Sequence, residues 1–279
     1  MSYKTVLVHL DTSARAHPRL ESALQLAKRF DAHVIGLFAV YEPETRAFAI
    51  MAGTASYYEQ HAATRLEQRG AIERLFHAEV KRAGVTGEWI EAHEPATHAA
   101  PHFARCADLV VASQDDPDDP ESYVGDHFQE TLVLSSGRPV LLLPYTGFFP
   151  SMANHPMIAW DGSREATRAV HDALPLLKTA ERVSIVTIDT TQGEARDERI
   201  AGADIAACIA RHGVKAEVSS SAIADETSVG ELLLSRATDL GADLVVMGGY
   251  GHARWQELVL GGATRTFLAS MTVPVLMSH

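Results

Sequence analysis

Gly248-Gly249-Tyr250-Gly251-His252-Ala253-Arg254-Trp255-Gln256-Glu257-Leu258-Val259-Leu260-Gly261-Gly262 follows directly on the apolar run Ala242–Met247 and precedes Ala263–Leu268, a segment with helical spacing. Strand, glycine loop and helix start, in that order, make a phosphate cradle possible. Glycines let the backbone approach an anion closely, and the first N–H groups of a helix supply donors and a favourable dipole. Spaced glycines also serve many ordinary turns after buried strands, so the flanking chain has to decide between the two uses.

Thr5–Leu10 is a short β-branched and leucine run ending at Asp11, and Leu20, Ala23, Leu24, Leu26 and Ala27 then recur at helical spacing. The nearly continuous apolar run Val34–Val40 suits a parallel strand covered on both faces. A long helix is predicted over residues 56–83, closed by Gly84, and a weaker strand over Thr86–Ala92. A short helix near Ala99–Ala107, a strand over Asp108–Ala112, a helix around Phe128–Ser135 and a strand over Pro139–Leu143 complete one series. Strands that alternate with helices and read as buried indicate an α/β fold around a parallel sheet.

The series then repeats. Ile158-Ala159-Trp160-Asp161 matches Val8-His9-Leu10-Asp11, and thirteen residues after each aspartate stands a helix leucine, Leu24 or Leu174. Asp243-Leu244-Val245-Val246 matches Asp108-Leu109-Val110-Val111, and the Pro-Val-Leu of the last strand follows 31 residues later in both copies, at Pro139 and Pro274. Shared intervals of this kind point to a tandem duplication. The boundaries expected are 1–147 and 155–279, with the Gly- and Pro-containing segment Tyr145–Pro156 between them. Each copy is expected to be a doubly wound domain with a five-stranded parallel sheet. The two should meet through their last strands, Val140–Leu143 and Val273–Met277, which would cover two sheet edges at once.

With Asp161-Gly162-Ser163 after a first strand, Gly248-x-x-Gly251, nine residues, Gly261, and a closing Val273-Pro274-Val275-Leu276, the chain resembles the universal stress proteins in their tandem, two-domain form. That resemblance implies ATP or a related adenine nucleotide, with Mg2+ only alongside it, in the second domain. Asp161 would lie near ribose and adenine, and Ile188 would pack on the base. Met247 and Gly248 would line the loop, and Gly251, Gly261, Gly262 and Ala263 would surround the phosphates. His252 and Arg254 are nearby candidates for phosphate contacts. The family's Ser or Thr after the last glycine is Gly262 here, which removes a hydroxyl hydrogen bond worth roughly 1.5–3 kcal/mol to a charged group.

By the same intervals Gly248, Gly251, Gly261 and Gly262 correspond to Ser113, Asp116, Asp126 and His127 in the first copy. The segment between holds Asp115, Asp116, Asp118, Asp119, Glu121 and Asp126 with no lysine or arginine. A carboxylate about 8 Å from a phosphate charge opposes it by roughly 0.5 kcal/mol in water and about 2 at an effective dielectric of 20. Several such pairs exclude a triphosphate, so the first copy reads as structural or regulatory, its segment as a solvated acidic loop.

Other chemistry lacks its parts. His93, His98 and His102 are close in sequence, but Pro101 disfavours one helix through the last two, and no metal site is expected. Ser163 reads as a helix N-cap, and no nucleophile elbow or P-loop lysine occurs, so no enzyme activity is expected beyond slow incidental ATP hydrolysis. The net charge of −12 and the lack of any basic cluster argue against nucleic acid and anionic membrane as partners. No apolar run reaches the span of a bilayer, and Cys106 and Cys208 read as buried thiols of a cytoplasmic protein. The function expected is a nucleotide-binding stress-response sensor or regulator, with an unknown protein partner and the option of a homodimer. The alternative is a scaffold without nucleotide, acting through protein contacts of the 56–83 helix and Ala47–Met51.

Overall fold

The computed structural model describes residues 2–40, 55–189, 202–222, 228–250 and 267–279. The chain forms two compact units, Tyr3–Leu132 and Val133–His279. In the first, β1 (Thr5–Leu10), β2 (His33–Phe38), β3 (Gly87–Glu91) and β4 (Leu109–Ser113) pair in parallel in the order β3-β2-β1-β4. The helices between them are α1 (Ala16–Phe30), α2 (Ala55–Ala83) and α3 (Ala96–Ala104). All of β4 and nearly all of β1 are buried, as continuous apolar runs require.

The helix α1 buries Leu20, Ala23, Leu24 and Ala27 at helical spacing and ends where Asp31 turns left-handed at φ 52°. Gly84 closes α2 at φ 69°, with its N–H donating to the Val80 carbonyl at 3.1 Å. Phe76 of α2 is wholly buried, and its ring lies where a side chain on Gly36 would be: a Cβ there would come within 2.5 Å of Phe76 Cε2. The same ring sits 5.6 Å from Trp89, which stacks on Phe38. The long helix is thus held to β2 and β3 by one aromatic wedge over a glycine.

Two sequence expectations change in this unit. Pro101 does not interrupt α3: the helix runs through His98 and His102, because Ala96, Ala99, Ala100 and Ala104 bury one face of it. That burial offsets the hydrogen bond the proline cannot make. Both histidines point outward from that face and are exposed. Cys106, just past the helix, is exposed rather than buried, and Cys208 is half-buried.

After α4 (Phe128–Ser136), the second unit contains β5 (Val140–Leu143), β6 (Pro156–Trp160), α5 (Arg164–Leu177), β7 (Val183–Asp189), α6 (Ala203–Ala210), β8 (Ala216–Ala222), α7 (Val229–Asp239), β9 (Leu244–Gly248) and β10 (Val275–Ser278). Its strand order is β5-β10-β9-β6-β7-β8. Every pair is parallel except β5–β10, where Val140 faces Met277 and Leu142 faces Val275 in antiparallel register. The pairing expected between the last strands of the two copies is therefore present, and β5 packs with the second unit. Ser163 caps α5 through Oγ, which accepts from Ala166 N at 3.0 Å, and Ser228 with Glu231 forms a capping box on α7. No helix among the described residues is long and apolar enough to cross a membrane.

Truncating the wedge tests this account. Phe76→Ala should cost about 3–5 kcal/mol, and Gly36→Val, which drives a branched side chain into the ring, about 1–3 or more. Urea denaturation followed by tryptophan emission would read both, since Trp89 reports on this contact.

Candidate functional site

In each unit the strand order reverses once, between β1 and β4 in the first and between β6 and β9 in the second. Ligands of doubly wound sheets enter at the carboxyl ends beside such a reversal. In the second unit β6 is flanked by β9 and β7, with Ile158 opposite Val246 and Trp160 opposite Thr187. Gly248 ends β9, Asp161 follows β6, and Ile188 is the last but one residue of β7, so the three come to the same edge of the sheet. Met247, beside Gly248 on β9, is buried, whereas Ile188 is half-buried and Asp161 exposed. Gly251, Gly261, Gly262, Ala263, His252 and Arg254 lie outside the described residues, as does the Ala47–Met51 segment.

Gly248 has a packing reason to be glycine. A Cβ on it would approach Ala166 N to 2.5 Å and the Glu165 carbonyl carbon to 2.7 Å, so the strand end lies directly against the first turn of α5. A Cβ on Gly249 would come within 2.9 Å of Val133 Cγ1, and the Gly249 N–H donates to the Ser278 carbonyl at 2.9 Å. Tyr250 then takes a left-handed φ of 56°. Glu165 is buried at this junction. Burial raises its carboxyl, but its own backbone N–H and the Arg164 guanidinium at 2.9 Å outweigh that and hold it below the ordinary range.

The first unit fills the equivalent position with its own side chains. Asp11, at the end of β1, is buried and fully engaged: Oδ1 accepts from Ser13 N at 3.0 Å and Ser13 Oγ at 2.5 Å, and Oδ2 lies 2.7 Å from Nη2 of buried Arg19. Burial would push the Asp11 carboxyl up, and the Arg19 charge overrides it, leaving the group below the usual carboxylate range. Beside it, His9 donates from Nε2 to the Ala39 carbonyl at 2.7 Å, its ring against Phe128. Burial, helped by the Arg19 charge, lowers the His9 imidazole to about 4, so it is neutral at pH 7.

The 150-residue offset that relates Asp11 to Asp161 relates Arg19 to Ala169 and His9 to Ala159. Both copies keep the same turn: Ser163 N donates to Asp161 Oδ1 at 2.9 Å as Ser13 N does to Asp11. Only the first copy adds a buried guanidinium and an imidazole to it. An arginine on the buried face of an amphipathic helix, beside Leu20, was the sequence signal for this cluster.

The acidic segment of the first unit also differs from the solvated loop expected. Asp119 Oδ2 accepts from Ala14 N at 2.9 Å, and Glu121 is hydrogen-bonded to the Thr12 hydroxyl, so the loop is docked on the β1–α1 turn. Asp119 Oδ1 accepts from Glu121 N, and the Ser122 hydroxyl and Asp116 N bind each other, which fixes its shape. Asp115, half-buried, accepts from Gln129 Nε2 at 2.8 Å; burial raises its carboxyl and the nearby Asp11 charge adds to this.

Residues 152–279 match the model of the Universal stress protein family. A domain of this family is thus found over that part of the chain. A universal stress protein from Archaeoglobus fulgidus DSM 4304 superposes with TM-score 0.71 at 16% identity, covering 98% of this chain and 95% of that one. A Pseudomonas aeruginosa PAO1 protein of unknown function superposes with TM-score 0.60 at 14% identity, covering 99% and 92%. At such identities the likeness is one of fold, and it extends over the whole chain. No curated protein sequence matches significantly.

The second unit should be sensitive at Gly248: Gly248→Ala should lower the melting temperature of the protein, because the methyl meets backbone that cannot move independently. His9 gives a pH test. Its folded value of about 4 lies below the ordinary 6.5. The stability it contributes is therefore complete above pH 6.5 and is lost as pH falls from there towards 4. His9→Gln, which keeps a donor for the Ala39 carbonyl, should remove roughly 2–3 kcal/mol of that pH dependence between pH 7 and 4.5. Urea titrations at the two pH values would measure it.

Proposed function

We propose that the chain is a tandem universal stress protein, with repeats over 1–147 and 155–279, that binds one adenine nucleotide, ATP being the leading candidate, in its second repeat alone. The observation that carries the asymmetry is the exchange of Arg19 and His9 for Ala169 and Ala159 around a turn common to both copies. Asp11 has both oxygens occupied by buried partners, whereas Asp161 stands exposed at the strand end. A ribose hydroxyl or adenine amino group donating to Asp11 would have to displace an ion pair. At Asp161, whose Oδ1 accepts from Ser163 N, it meets an exposed carboxylate with no arginine at the position matching Arg19.

The docked acidic loop supports the same division, since its carboxylates engage the β1–α1 turn donors that an anionic ligand of the first repeat would need. In the second repeat the corresponding stretch is the glycine loop Gly248–Gly262, which carries a single acidic residue, Glu257, and the basic Arg254. Asp161, Ile188, Met247 and Gly248 form the base and ribose side of the proposed site, and Gly251, Gly261, Gly262 and Ala263 the phosphate side, with Mg2+ entering only with the nucleotide. Nothing in this set is a nucleophile or a general base paired with one, so the site serves sensing or regulation in a stress response and not turnover.

Purified protein should release material absorbing near 260 nm on denaturation and should bind one ATP per chain in calorimetric titration. Asp161→Ala should weaken that binding by about 1.5–3 kcal/mol, and Gly251→Asp should abolish it, while Asp11→Asn leaves the stoichiometry unchanged. Two equivalent sites per chain would sink the asymmetric assignment.

A further inference from the structure

Where α1 crosses α2, three side chains of metal-ligating type converge outside the strand-end sites. His17 and Glu21 stand one turn apart on α1, and Glu79 comes from α2. His17 Nε2 lies 3.7 Å from Glu21 Oε1 and 3.8 Å from Glu79 Oε1, and all three atoms fall within 4.8 Å of one another. These separations are too long for hydrogen bonds. They come within about half an ångström of the roughly 3.4 Å that separates N and O ligands around a tetrahedral zinc ion. We infer that His17, Glu21 and Glu79 form a surface binding site for a divalent zinc-class cation, with water completing the coordination.

The charges and the neighbouring arginine are compatible with it. Arg82 Nη2 contacts Glu79 through Oε2, which leaves Glu79 Oε1, the atom facing His17, to the metal; it also donates to Glu21 Oε1 at 3.3 Å, a hydrogen bond that an ion on that oxygen would replace. A ligating carboxylate whose second oxygen is hydrogen-bonded is the usual arrangement around bound zinc. Exposure of the side chains runs from 46% at His17 through 29% at Glu21 to 13% at Glu79, which gives a solvent-facing mouth and a firmer floor. One imidazole with two carboxylates suits zinc better than calcium or magnesium, which take oxygen ligands alone. Bound there, the ion ties α1 to α2, the helix that Phe76 wedges against the sheet. The inference does not depend on any nucleotide.

Tag-free protein titrated with zinc chloride should show one saturable site and a raised melting temperature. His17→Ala and Glu79→Gln should each weaken binding about tenfold or more and remove the thermal shift. His171→Ala, a control for the exposed histidine pair His171–His212, should change neither. All three positions are outside the core, and equal melting temperatures without zinc would confirm that the variants are folded. Absence of saturable binding, or binding that survives both His17→Ala and Glu79→Gln, overturns the assignment; survival would put zinc on other histidines.

Discussion

A parallel sheet whose strand order reverses must leave a crevice at the carboxyl ends of the two strands where the crossovers part, because the connecting helices turn away to opposite sides. The residues at and just past those strand ends therefore depend on side chains of the following helix, or on ligands, to occupy that crevice. Every chemical feature described at the strand ends follows from how that crevice is occupied. In the first unit Asp11 and Ser113 mark it; in the second, Asp161 and Gly248 do.

The two occupants are physically opposite. A buried aspartate–arginine pair has a desolvation cost that its mutual attraction and hydrogen bonds must offset, and removing one partner typically costs about 3–5 kcal/mol. Arg19 and Asp11 lie 2.7 Å apart, with two serine donors on the remaining oxygen, and the lowered His9 imidazole adds no further charge at neutral pH. That arrangement engages both oxygens of the Asp11 carboxylate from within the fold, while Nδ1 of the His9 ring is left without a hydrogen-bond partner. At the matching position of the second unit stands Ala169, itself wholly buried, so that the strand-end aspartate there has no guanidinium from this helix position.

Much of this was legible in the sequence, and the misses have identifiable causes. The repeat could be read from intervals alone, because strand ends and helix faces fix spacings such as Asp11 to Leu24 and Asp161 to Leu174. The pairing of Val140–Leu142 with Val275–Met277 followed from two sheet edges needing cover. Gly248 reads in the sequence as lining the glycine loop, and its contact with Ala166 adds a packing demand for the same letter that only the folded chain reveals. The acidic loop looked solvated because net charge was visible while its partners Thr12 and Ala14, more than 100 positions earlier, were not. Pro101 was judged by local propensity, which the buried alanine face of α3 overrode. Glu79 could not be joined to His17 without knowing how two helices cross.

The antiparallel β5–β10 contact has a consequence for dissecting the chain. Val140–Leu143 is the last strand of the first repeat by spacing, yet it belongs to the compact unit Val133–His279. A fragment begun in the Tyr145–Pro156 segment, where the repeats divide, would therefore discard β5 and bare the apolar rim Val275–Met277. Such a rim pairs readily with another strand, and a second copy of the same fragment offers one in antiparallel register. Severed at the repeat boundary the piece becomes a self-associating half; severed ahead of Val133 it keeps its own cover.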